Sequence, residues 1–151
     1  MSMMRMPVLT KFITTILIAG LLHIAHAPLQ AASTATEQTL TAAFLYNFLK
    51  FTEWPTDTIS SEITLCTSKG SAFEELDAIS GKIAQSKPVR IKRISPSEPS
   101  DDCQLLFLPR EDGSERIRQW LTLTQNKPIL VVSNLNEFLD IGGMISLMND
   151  G

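Results

Sequence analysis

The chain has 151 residues, with 13 lysines and arginines against 16 aspartates and glutamates and a formal net charge of −3. That balance argues against nucleic-acid binding through a phosphate-neutralising basic patch. The seven glycines form neither G-x-G-x-x-G nor G-x-x-x-x-G-K, which removes the common nucleotide loops.

The N-terminus carries Arg5 and Lys11, an apolar run from Phe12 to Leu22, and small residues at Ala25, Ala27, Ala31 and Ala32. This is the layout of a secretory signal peptide, and residues 1–31 are assigned to it. The apolar run is too short for a bilayer-crossing helix, which needs about 20 residues, so cleavage is preferred over an uncleaved anchor. Ala25-His26-Ala27 fits the cleavage rule but precedes Pro28, so cuts after Ala31 or Ala35 compete with it. Removal takes away both histidines, His23 and His26, and leaves a more acidic chain of about 120 residues, enough for one domain with a modest core. Export places Cys66 and Cys103 in an oxidising compartment, where pairing is the default. A bridge of this span adds roughly 3 to 4 kcal/mol; the alternative is two buried thiols that never meet.

Thr34-x-x-Glu37 is a capping-box pattern, so the first helix is expected to start near Ala35 and to end by Trp54, the residue before Pro55. Its segment LTAAFLYNFLKFTEWP concentrates the aromatic residues of the chain. Projected at about 100° per residue, Leu40, Phe44, Phe48 and Phe51 fall together as the core stripe, and Leu45 and Leu49 extend it. Tyr46, Lys50 and Glu53 lie opposite, as the side left to meet a partner. Asn47 sits at the margin of the stripe, where a partly buried amide needs hydrogen-bond partners, and is expected to tether the helix.

Next come a strand from Ile63 to Cys66, a polar turn from Thr67 to Ser71, and a helix from Ala72 to about Ile79 closed by Gly81. Val89 to Lys92 alternates as a half-exposed strand, and Leu105 to Leu108 is continuously apolar, as a central buried strand would be. A helix from Glu111 to Leu123, a strand from Ile129 to Val132, a short helix near Asn136 to Leu139 and a strand from Met144 to Leu147 complete the series. The alternation predicts an α/β fold, a single layered domain with a mostly parallel sheet flanked by helices. Asn149-Asp150-Gly151 reads as a hairpin turn with no strand after it, so the domain at 32–151 is expected to be incomplete at its C-terminus.

Without histidine in the exported part, Ser-His-Asp and Cys-His arrangements and imidazole-rich zinc sites are not available, and no enzyme, metal or cofactor is expected. Asp101-Asp102 reads as a solvated turn rather than a calcium ligand pair. Arg90, Lys92 and Arg93 read as a solvated strand edge, with a docking edge as the rival. The Thr67 to Ser71 turn, ahead of a helix N-terminus, offers amides to a small anion, which supports an alternative reading as a small-molecule binding module.

The string AAFLYNFLKFTEWP, Ala42 to Pro55, resembles the signature of the YfiR/HmsC family of exported bacterial proteins. Further matches follow in order: Ile63 to Cys66, Cys103 before Leu105 to Phe107, and Phe138 with Ile141-Gly142-Gly143-Met144-Ile145. In that signature Phe44, Asn47, Phe48, Phe51, Trp54 and Pro55 are the structural positions. The resemblance implies a periplasmic repressor that binds the sensory domain of an inner-membrane diguanylate cyclase or related sensor, lowering cyclic di-GMP and biofilm formation, with no cofactor. Tyr46, Lys50 and Glu53 are the partner-contact candidates, and a homodimer stays open. Cys66 and Cys103 match one cysteine pair of the family; a second pair has no counterpart. The family continues past the Gly-Gly strand into a further strand and helix, and this chain stops before them.

Overall fold

The structure, a computed structural model, describes the backbone of residues 29–71 and 73–148 and the side chains from residue 37 onward. Residues 1–28 of the expected signal peptide and the closing Asn-Asp-Gly turn lie outside the described residues, while residues 29–31 belong to the first helix. Among the described residues two α-helices, α1 (Leu29–Phe51) and α2 (Gly113–Thr124), accompany six strands: β1 (Ile63–Ser68), β2 (Ile83–Ala84), β3 (Lys87–Ile94), β4 (Leu105–Leu108), β5 (Leu130–Ser133) and β6 (Ile145–Ser146). The sheet order is β2-β3-β1-β4-β5-β6, parallel throughout except for the antiparallel β2–β3 pair. The α/β class with a mostly parallel sheet between helical layers is therefore the observed fold. No helix among the described residues is long and apolar enough to cross a membrane.

β1 and β4 lie at the centre, and all of their residues are buried. Parallel strands covered on both faces need continuous apolar runs, and their alternating side chains feed two cores. One face carries Ile63, Leu65, Leu105, Phe107 and Val132, closed by α1, Trp54 and Phe73. The other carries Cys66, Leu106, Leu108 and Val131, closed by Ile117 and Trp120 of α2 and by Phe138. Gln104, 1% exposed, fixes the start of the β1–β4 pair. Its Oε1 accepts from the Thr64 amide at 2.7 Å and its Nε2 donates to the Thr58 carbonyl at 2.6 Å.

Helix α1 departs from its expected start. It runs from Leu29 rather than from Ala35, so the Thr34-x-x-Glu37 box does not start it; Glu37 accepts instead from Arg110 Nη2 at 2.6 Å. Its end at Phe51 falls within the expected limit at Trp54, the residue that Pro55 keeps out of the helical region. The C-terminal carbonyls are met from far along the chain: Gln85 Nε2 donates to Leu49 O at 2.8 Å and to Thr52 O at 2.7 Å. Gln85 stands in the β2–β3 hairpin turn with Ser86, at φ of 49° and 65°, the paired left-handed conformation of a two-residue hairpin. Gln-Ser is not a recognised turn signal, so the sequence carries no local sign of β2 or of this turn.

The larger correction concerns which side of α1 faces inward. Leu45 and Leu49 are fully buried and Ala42 is 5% exposed, whereas Leu40, Phe44 and Phe51 are 53%, 44% and 76% exposed. Phe48 is partly buried against the core and Asn47 is exposed. The buried arc is thus turned by roughly a third of the cylinder from the expected aromatic stripe. Apolar residues occupy most of the circumference, so periodicity alone offers no single inner face; slim Ala42 with Leu45 and Leu49 fits the sheet more closely than a row of rings. The tether expected of Asn47 is supplied by Gln85.

Other differences are local. The expected helix at 72–79 is a 3-10 helix, Glu74–Ile79, and the expected helix at 136–139 is a run of turns. A short 3-10 turn, Arg110–Asp112, precedes α2.

Candidate functional site

Three large apolar side chains of α1, Leu40, Phe44 and Phe51, face outward. Leu40 and Phe44 line a shallow groove of about 190 Å³ with Leu147 and Met148, beyond the end of β6. Met148 is itself 62% exposed. At the groove's rim Glu37 is held by the Arg110 guanidinium. One turn beyond Phe48, Phe51 carries the Lys50 ammonium 5.2 Å from its ring centroid, a cation–π contact that keeps a charge beside the apolar patch.

The contact candidates read from the sequence separate here. Lys50 and Glu53 are exposed. Tyr46 is half-buried: its ring packs on the core and its hydroxyl donates to the Ile83 carbonyl at 2.7 Å. Lys50 and Lys82 each stand 5.6 Å from that ring. Tyr46 also borders a second groove, about 290 Å³, between α1 and the Glu74–Ile79 turn, with Ala42, Ala43 and Lys82. Among the signature residues, Trp54 is buried and Pro55 exposed, its carbonyl accepting from the Thr58 amide at 3.0 Å. The sequence reading assigned Leu40, Phe44 and Phe51 to the core; only the packed sheet distinguishes them from Leu45 and Leu49.

Cys66 and Cys103 are joined in a disulfide with a Cα–Cα separation of 5.8 Å, and both are buried. It ties the middle of β1 to the residue pair that opens β4. Asp101 and Asp102 are exposed and paired with Lys127 at 3.0 Å and Lys92 at 2.9 Å, the behaviour of a solvated turn. Arg90, Lys92 and Arg93 are all engaged, with Glu62, Asp102 and Asp77, so the basic strand face carries its own counter-charges. The Thr67 to Ser71 turn does not open an α-helix; the six-residue 3-10 segment after it is too short to direct a helix dipole at an anion.

The Gly142-Gly143 pair closes the molecule beyond β5. Gly142 has φ of 96°, which favours glycine. Gly143 lies against the ring of Phe138, a fully buried residue, so the spacing Phe138…Gly142-Gly143 encodes one packed corner.

A family model described as YfiR/HmsC-like, DUF4154, matches residues 38–151. The chain belongs to the YfiR/HmsC-like family. The matched span takes in the described part of α1 from Gln38, the whole sheet, the disulfide and the Phe138–Gly143 corner. A comparison with curated proteins finds no match. In this YfiR/HmsC-like chain the most aromatic part of the sequence therefore serves two purposes, with Leu45, Leu49 and Trp54 inside and Leu40, Phe44 and Phe51 outside.

Proposed function

We propose that this chain is an exported periplasmic regulator that binds the sensory domain of an inner-membrane diguanylate cyclase, or a related membrane sensor, and holds it inactive. Family membership supports the regulatory class. The observation that carries a protein-docking role is the outward apolar row of α1, Leu40, Phe44 and Phe51. Exposure of such side chains is unfavourable in isolation and favourable once a partner covers them. Lys50 reaches over the Phe51 ring at one end of this row, Glu53 is exposed just past the helix end, and Tyr46, on the other side of the helix, packs on the core and donates to the Ile83 carbonyl. Repression is stoichiometric: a bound regulator shifts its partner only by its differential affinity for the inactive conformation.

The test is co-purification of the tagged chain with detergent-solubilised inner-membrane proteins, beside a variant carrying Phe44→Ser and Phe51→Ser. Recovery of a cyclase or sensor by the parent and its loss with the variant is the expected result. Equal recovery by both would remove the helix face from the proposal, and recovery of no sensor would remove the function.

A further inference from the structure

The parallel part of the sheet contains a reversal of winding. After β1 the chain leaves towards β3 on the α1 side, through Gly70, Ser71 and Phe73; after β4 it leaves in the other direction, through Pro109 to Asp112, into α2 on the opposite face. Two neighbouring strands whose exits diverge leave an opening beyond their carboxyl ends, the place where open α/β sheets bind ligands. Here that opening is a crevice of about 230 Å³ lined by Gly70, Ser71, Asp112 and Arg116 among others. It is smaller than the roughly 300–1,000 Å³ of sites for drug-sized ligands.

Its polar walls carry both signs. Asp112 is the N-cap of α2 but makes no side-chain cap bond; its carboxylate turns to the end of β1, where Oδ1 accepts from Ser68 Oγ at 2.9 Å. Oδ2 is buried without a partner. Buried polar atoms are nearly always hydrogen-bonded, and a carboxylate oxygen can be satisfied only by a donor. One turn along α2, Arg116 is exposed on the crevice rim and interacts electrostatically with Asp112. A plain anion meets Glu111 and Asp112 on the same wall, and no group of three or more metal-ligating side chains occurs among the described residues. A molecule with a donor end and an acceptor end satisfies both walls.

We propose that this crevice binds a small, net-neutral polar molecule, with a hydroxyl or ammonium donor directed to Asp112 and an acceptor oxygen held by Arg116. The site is separate from the outward face of α1 and does not depend on the docking role. Zwitterions and polyols share this chemistry, and the test distinguishes them.

The purified chain, labelled with nitrogen-15, is titrated separately with glycine, glycerol and glucose at millimolar concentration, with acetate and methylammonium as single-charge controls. Expected are saturable shifts of the Gly70, Ser71 and Gly113 amide signals with at least one of the three net-neutral probes, and weaker responses to both controls. Arg116→Gln and Asp112→Asn are each expected to weaken the apparent affinity by about tenfold or more, as for loss of a charge-assisted hydrogen bond, while distant signals stay in place. Glycine as the responding probe identifies a zwitterion site, glycerol or glucose a polyol site. No shift at these amides with any of the three overturns the proposal, as does an equal response to acetate alone, or unchanged binding in both variants.

Discussion

Gly143 and Phe138 are in the closest relationship any described glycine has with its surroundings: a Cβ built on Gly143 would stand 2.3 Å from Phe138 Cε1. The Gly143 amide also donates to the Phe138 carbonyl at 2.9 Å, so neither backbone nor ring can yield separately. Gly143→Ala is therefore expected to destabilise the domain by about 1–3 kcal/mol through overpacking. Gly142→Ala has open space and loses only the left-handed preference, about 1–2 kcal/mol. Urea unfolding of the two variants checks the order.

The two faces of α1 predict opposite mutational signatures. Leu45→Ala and Leu49→Ala open cavities beside the sheet and are expected to cost about 2–5 kcal/mol each. Phe51→Ala, at 76% exposure, stays within about 0.5 kcal/mol of the parent. Thermal melts of the three variants decide it; a large loss for Phe51→Ala would mean the ring is covered within the folded chain.

Gln85 stitches the hairpin turn to the end of α1 through the Leu49 and Thr52 carbonyls. Gln85→Ala leaves the buried side of that contact unpaired and is expected to cost about 1–2 kcal/mol. Hydrogen exchange should rise first in the last turn of α1, where the bonds are lost, rather than in β4.

The buried Cys66–Cys103 bridge should leave no labelled thiol in denatured, unreduced protein. Replacing both cysteines by serine is expected to lower stability by about 3–4 kcal/mol, read as a lower urea midpoint. Labelling of two thiols per chain before reduction would contradict the bridge.

Asp112 sets one pH dependence. Burial raises its carboxyl above the ordinary 3.8, against the lowering effects of the Ser68 hydroxyl and Arg116. The folded state then holds the proton more tightly than the unfolded chain, so this group's contribution to stability falls as pH rises from 3.8 through the raised value. Asp112→Asn should accordingly gain relative to the parent at pH 7 compared with pH 4 in paired thermal melts. Glu98 and Asp101 act oppositely, lowered mainly by hydrogen bonds from Ser95 and Lys127. Their stabilisation is present above the ordinary carboxylate range and is lost on acidification.

The sequence by itself determined the α/β class, the central strands, α2 and the cysteine pair. Those readings rest on local patterns: Leu105 to Leu108 is apolar without interruption, and a strand that reads this way has both faces covered. Tertiary structure alone decided the inner face of α1, because apolar residues surround that helix and burial goes to whichever side packs best against the sheet. It also decided the Gln85 cap and the crevice between the exits of β1 and β4. Each joins residues more than thirty positions apart, and no local periodicity records which distant loop will come to rest beside them.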